Sequence, residues 1–222
     1  MSKSPFKSTF DDLPEVLPIF PLTGVLLLPT SRLPLNIFEP RYLQMVQWAL
    51  GHGRLIGMIQ PKEGVGLNGE EVPPDLYQTG CAGRIISFQE TDDGRFLIVL
   101  EGVSRFHLKK EEPMQDGFRL VTPDWSPFRS DLSSAEVTLN REALVECVPK
   151  FFECKGITAD WELIKAADDR HLVNTLALFC PFDPSEKQAL LEAAHIGERA
   201  DLLITMMEMA MQERDDQSRS KH

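Results

Sequence analysis

The sequence predicts an α+β protein in which a small antiparallel β-barrel precedes an α-helical bundle. Three observations predict it. Between Leu17 and Thr122, short β-rich runs recur, punctuated by Gly, Pro and Asp, the pattern of a small closed sheet. Beyond Ser134 the apolar residues recur at helical spacing instead. The polar segment Asp124 to Ser134, containing Pro and Ser, separates the two regimes.

The stretch Val16–Leu50 organises the β region. Pro18, Pro21, Pro29 and Pro34 withhold backbone donors and fix φ, so short bent strands are expected. Thr23-Gly24 makes a turn between Ile19–Leu22 and Val25–Leu28, which together read as one strand-like run. Leu33, Leu35, Ile37 and Phe38 make the next. Glu39-Pro40-Arg41-Tyr42 then opens a helix. Proline suits the first helical position, and Glu39 lies at the positive end of the dipole. Tyr42, Val46, Ala49 and Leu50 share one face, and Gly51 and Gly53 stop the helix.

Arg54–Gln60 reads as a buried strand ending at Pro61. Lys62 to Gln78 is a long Gly- and Pro-containing loop. Its Gly64-x-Gly66-x-x-Gly69 spacing matches a dinucleotide fingerprint, but Pro73-Pro74 prevents the helix that such a site needs, so no nucleotide is assigned. Gly80–Phe88 and Arg95–Leu100 flank Asp92-Asp93-Gly94, a hairpin signal. Gly102 is expected to break the second strand. Arg105–Lys109 alternates polar and apolar, a strand with one wet face, and Phe118–Thr122 follows the Asp116-Gly117 turn.

In the helical part, Leu144, Cys147, Val148 and Phe151 mark a helix expected to kink or end near Pro149. Thr158 is placed as the cap of a short helix through Trp161 and Ile164. Leu172, Leu176 and Phe179 mark another. Asp183-Pro184-Ser185-Glu186 is a capping box that starts the helix carrying Leu190 and Leu191. The last helix begins near Glu198, with Leu203, Met206, Met207 and Ala210 on one face. The expected division is a disordered lead-in 1–13, a β-barrel 14–125, a helical subdomain 131–213 and a frayed tail 214–222.

Three segments carry a family resemblance. PIFPLTGVLLLP…LPLNIFEPRY resembles the start of the Lon N-terminal domain, the substrate-recognition module of Lon proteases. That module also occurs as a small free-standing bacterial protein and within cereblon-type proteins. GCAGRI…DGRFLIVLEGVSRF and FDPSEKQALLEAAHIGERADLLITMMEMA are similar to its later parts, so the resemblance spans about residues 14–213. It implies a PUA-like β-barrel with an inserted helix, followed by helices. It also implies a protein- or peptide-binding module, with unfolded or extended polypeptide as partner and a separate protease or chaperone as a further one. Full-length Lon adds an ATPase and a Ser–Lys protease. The chain has no G-x-x-x-x-G-K-[ST] loop and no Gly-Lys dipeptide, so those activities are not carried over and the free-standing form is expected.

Composition narrows the function classes. With 42% hydrophobic and 26% charged residues the chain is globular. No apolar run approaches the roughly 18 residues of a membrane span, and the N-terminus lacks a signal-peptide core, so a cytoplasmic protein with no membrane partner is expected. The net charge is −11, and residues 131–222 contribute −8 of it, with 10 Lys+Arg against 18 Asp+Glu. This disfavours nucleic acid, which needs clustered cations, although PUA-like barrels can bind RNA. Cys81, Cys147, Cys154 and Cys180 show no C-x-x-C spacing and the five histidines are scattered, so neither a metal nor a cofactor is expected.

Two groups of residues are singled out. Leu27, Phe38, Arg41, Tyr42 and Arg84 are candidates for holding a peptide, within an apolar surface that also draws on Leu26 and Leu28. Glu39, Arg41, Arg84, Glu101 and Arg105 are candidates for a structural polar network that pins the helix to the barrel. No catalytic residue is assigned. The enzymatic alternative rests on a Cys81–His107 pair or an arginine-lined pocket, and needs hydrogen-bond reach between nucleophile and base. His52 and His195 are expected to finish helix C-termini. The Met206, Met207, Met209 and Met211 cluster reads as packing.

Overall fold

The computed structural model describes residues 9–62, 74–133 and 138–219, and of Trp161, Leu163 and 215–219 only the backbone. The chain divides into two compact units, Met1–Ala135 and Glu136–His222. The Gly64-x-Gly66-x-x-Gly69 segment lies outside the described residues.

The first unit contains β1 (Leu17–Pro21), β2 (Arg32–Ile37), α1 (Pro40–Gly51), β3 (Leu55–Pro61), β4 (Leu76–Glu90), β5 (Phe96–Gln115) and β6 (Phe118–Asp124). The strand order is β2-β5-β4-β3-β1-β6, and β6 also pairs with β5. The pairing therefore runs in a circuit through β5, β4, β3, β1 and β6 and back to β5, with β2 attached outside it. The sheet is mixed, not wholly antiparallel, because β1 and β3 run parallel. Parallel neighbours need a long crossover, and the segment through β2 and α1 provides it. Inside the circuit, Leu17, Ile19, Leu55, Ile59, Ala82, Phe106, Val121 and Trp125 form one core cluster.

Several local expectations change. Val25–Leu28 is not a strand. Leu26, Leu27 and Leu28 are buried in irregular backbone, which a Leu28–Ser31 turn completes. The Leu28 N–H donates to Ser31 Oγ at 3.0 Å, and the Ser31 hydroxyl donates back to the Leu28 carbonyl at 2.6 Å. Gly102 does not break β5, which runs 20 residues. It sits at a register shift against β4 where the Leu28 backbone comes close. A Cβ at Gly102 would lie 2.0 Å from the Leu28 carbonyl oxygen. The Thr30 N–H donates to the Gly102 carbonyl at 2.8 Å, and the Gly102 N–H to the Ser31 carbonyl at 2.9 Å. Order begins before residue 14, since Phe10–Asp12 form a 3-10 turn with a Thr9–Asp12 capping box. The segment expected as a linker after residue 125 instead forms a 3-10 turn over Ser126–Leu132, with Phe128 buried.

The second unit contains α2 (Arg141–Lys155), α3 (Trp161–Ala166), α4 (Asp169–Phe179), α5 (Pro184–Glu192) and α6 (Ile196–Arg219). α2 continues through Pro149, with Phe151 and Phe152 buried beyond it, and Gly156 ends it at φ +68°. Asp160, not Thr158, caps α3, accepting from the Glu162 N–H at 3.0 Å. The Asp183–Glu186 capping box is present. Phe179 is exposed, unlike Leu172 and Leu176. α6 reaches Arg219, past the expected end at 213, and residues 214–219 include no Gly or Pro. In its core, Met207 is buried while Met209 is exposed. Arg199 is buried too, its Nε donating to the Leu190 carbonyl at 2.7 Å and its Nη1 to Asn174 Oδ1 at 3.3 Å.

Gly102→Ala is expected to destabilise the chain by about 3 kcal/mol, the upper range for forced overpacking, because the clash is with backbone that a turn holds in place. Urea denaturation of the variant measures it.

Candidate functional site

The sequence candidates fall into separate places. Leu27 is 1% exposed, and its Cδ2 would lie 2.7 Å from a Cβ at Gly83, so it fills the space that glycine leaves. Tyr42 is also buried. Its ring lies 4.2 Å from the Phe20 ring, with the Arg41 guanidinium 4.6 Å from its own centroid. Burial pushes the Tyr42 hydroxyl up, against the opposing pull of the Arg41 cation. Leu27 and Tyr42 are therefore core, not lining. Phe38, at 61% exposure, is the apolar candidate that reaches the surface.

The five charged candidates do not form one network. Arg41 pairs with Glu39 next to it, Nε and Nη2 donating to Oε2 at 3.0 and 2.8 Å. Exposed pairs of this kind are worth roughly 0.2–1 kcal/mol. Arg84 donates from Nη1 to the Gly53 carbonyl at 3.1 Å, tying the end of α1 to β4. Glu101 stands opposite Arg84 in register, and its carboxylate lies 3.5 Å from Arg32 Nε on β2. Arg105 takes a partner that sequence reasoning missed, Asp131. Its Nε and Nη2 donate to the two Asp131 oxygens at 2.9 and 2.8 Å, and its backbone N–H adds a bond of 3.0 Å. The Arg105 guanidinium also lies 4.5 Å from the Phe128 ring. Arg105 is 2% exposed, so the strand face expected to be wet is buried there. Arginine in a strand beside Phe106 was the available signal. Its acid, 26 residues on in a polar turn, had no local signature.

The enzymatic alternative gains no geometry. Arg105, not His107, stands opposite Cys81. The Cys81 thiol lies 3.7 Å from the Ala82 carbonyl, while the His107 ring packs edge-on to Phe128 at 4.9 Å. His52 does close α1, its ring stacked on Trp48 at 4.0 Å. His195 instead sits at the start of α6, where Nδ1 accepts from the Glu198 N–H at 3.1 Å. Among the described residues no group of His, Cys, Asp and Glu is arranged to hold a metal. A cleft between the end of α2 and α6 is lined by Glu153, Lys155, Glu213 and Arg214, whose opposite charges leave no dominant sign.

What the first unit does expose is an apolar tip, where β2 ends and β4 and β5 form their hairpin. Gly94 makes the turn at φ +77°, with its N–H donating to the Thr91 carbonyl at 2.9 Å. Ile37, Phe96 and Glu90 align across the three strands. Around this line Phe38, Phe88 and Leu97 are exposed. Phe88 meets Phe96 edge-on at 5.0 Å. Arg95, held by Asp93 at 2.8 Å, extends its guanidinium to 5.9 Å from the Phe38 ring. Phe88 pairs with Ile98, the neighbour of Leu97, so the tip is apolar on both faces.

The profile of the ATP-dependent protease La (LON) substrate-binding domain matches residues 16–209. The chain belongs to the Lon substrate-binding domain family. The Lon protease of Desulfosudis oleivorans is 32% identical over 201 residues, 86% of this chain and 23% of that protein. The Lon protease of Buchnera aphidicola subsp. Acyrthosiphon pisum is 24% identical over 93% of this chain and 26% of its own length. The chain thus spans about a quarter of these relatives. Among solved structures, a Lon N-terminal domain protein from Xanthomonas campestris superposes with a TM-score of 0.60 at 22% identity, covering 86% of this chain and 97% of that one. The N-terminal domain of Mycobacterium avium complex Lon protease gives 0.61 at 15% identity, covering 87% and 98%. The Lon N-terminal fold is therefore shared. Among the described residues no helix is long and apolar enough to cross a membrane.

The thiols offer a direct check of the packing. Burial pushes Cys180 up to about 12 and also raises Cys147, so both stay protonated near neutral pH. Cys81, Cys147 and Cys180 are buried and Cys154 is half-buried. Iodoacetamide at pH 8 is expected to label Cys154 first, and Cys180 only in denaturant, as read by peptide mass spectrometry.

Proposed function

We propose that this chain is a non-catalytic module that holds extended or unfolded polypeptide at the apolar tip of its first unit. The observation that carries the reading is the exposed Phe38, Phe88 and Leu97 at the end where β2, β5 and β4 pair. Singly exposed apolar residues are ordinary, but several gathered on paired strands mark an interaction surface. Family membership supports the same reading, because the matching domain is described as substrate-binding.

In this reading the strand circuit is a PUA-like β-barrel and the five helices form a bundle. Residues 14–125 and 131–213 are their expected extents, with Asp131 serving the first. Phe38 is the central contact of the tip, with Phe88 and Leu97 on its two faces. Arg41 and Arg84 serve as structural anchors for α1. The acidic balance of −11 turns nucleic acid away. A separate protease or chaperone would act on what the module holds, in the cytoplasm.

Binding of a permanently unfolded protein, reduced and carboxymethylated α-lactalbumin, tests the reading. Fluorescence anisotropy is expected to show saturable binding. Phe38→Asp and Phe88→Asp should each weaken it by roughly 5- to 30-fold, the range of an interface anchor, with the melting temperature nearly unchanged. Unchanged affinity in both variants, or preferential binding of RNA, would overturn it.

A further inference from the structure

The strand circuit satisfies its own edges, but β2 stands outside it. Among the described residues β2 pairs with β5 alone, in an unbroken register from Arg32↔Glu101 to Ile37↔Phe96. One side of its backbone therefore has no described strand against it. Which residues face that side follows from the ladder. The Ser31 carbonyl accepts from the Gly102 N–H on β5. Backbone groups alternate sides along a strand, so Leu33, Leu35 and Ile37 turn theirs toward β5 as well. Arg32, Pro34 and Asn36 turn theirs away. The position of Pro34 agrees, since a proline inside a sheet belongs where its missing N–H faces no partner strand.

The outer edge of β2 thus presents the carbonyls of Arg32, Pro34 and Asn36 and the N–H groups of Arg32 and Asn36. All three residues are exposed, whereas Leu33 and Leu35 on the opposite face are half-buried. We infer that this edge takes an extended segment of a client polypeptide as an added strand, an inference that rests on the polypeptide-binding function proposed above. An incoming strand answers five of the six backbone positions and covers Leu33 and Leu35 with its own apolar side chains at alternate residues. Phe38 directly follows the strand, so the edge and the apolar tip are continuous. A second copy fits less well. Self-pairing centred on Pro34 sets two prolines opposite each other and leaves both Pro34 carbonyls without a donor.

The pairing fixes which backbone groups of the client are used. In a client strand that runs antiparallel to β2, directly opposite residues share a face and exchange their bonds, so client residues opposite Arg32, Pro34 and Asn36 bond to β2, while those beside Leu33 and Leu35 direct their N–H groups away. A short peptide of alternating Leu and Thr, with Leu beside Leu33 and Leu35, is the probe. N-methylation of every Thr is expected to weaken binding to the full chain at least about tenfold, the loss of two or more hydrogen bonds, whereas N-methylation of every Leu leaves affinity within about twofold. Asn36→Pro should weaken the unmodified peptide roughly fivefold, one backbone donor, and Asn36→Ala should not. The methylated peptides keep the test decisive if Asn36→Pro fails to fold. Equal binding of both methylated sets overturns strand addition and leaves the polypeptide-binding function intact. No saturable binding of the unmodified peptide or the unfolded protein overturns both. Dimerisation in sedimentation that Asn36→Pro abolishes gives the edge to a second copy and overturns the client strand.

Discussion

The approach of the Leu28 backbone to Gly102 is the constraint on which the first unit depends. The Leu26–Leu28 segment has too many apolar side chains to stay in water, and it is bounded by Pro21 and Pro29, which fix φ at its two ends. It is accommodated by folding onto β5, where a glycine lets carbonyl meet backbone, and beside Gly83, where a second glycine leaves volume for Leu27. A third, Gly80, makes room for Phe106, whose ring atoms would lie 2.6 and 2.9 Å from an added Cβ. Bulky side chains and absent ones are thus matched across the circuit, and close packing makes that matching strict.

The Arg105–Asp131 pair extends the same unit past its last strand. Removing one partner of a buried, hydrogen-bonded ion pair leaves a charge in a place water does not reach, at a cost of about 3–5 kcal/mol. Here two of the three side-chain nitrogens and the backbone N–H converge on one carboxylate, and Phe128 caps the guanidinium. The turn after β6 is held to β5 by that chemistry, although by composition it looks like a linker.

Core and surface are divided sharply. Of the residues whose chemistry drew attention in the sequence, Cys81, Arg105, Tyr42 and Leu27 are all buried. Phe38 is different: it follows the last residue of β2 and is exposed. An apolar tip next to an open strand edge offers backbone hydrogen bonding and apolar contact along one line. It is on that combination that the proposed binding of extended polypeptide rests.

Much was legible in the chain itself. The capping box at Asp183, the proline-opened helix at Pro40 and the hairpins at Gly94 and Gly117 depend on residues within a few positions of one another, and each formed as its local chemistry required. The Lon-type opening and closing segments carried the family for the same reason. Tertiary structure decided the rest. Whether Leu27 or Phe38 faces water, whether Arg105 meets Glu101 or Asp131, and whether β1 lies parallel to β3 all depend on chain brought together from far apart. Hydrophobic pattern sets that a residue will be buried or paired, but the partner is chosen by packing and closure of the sheet, which no short window of sequence contains.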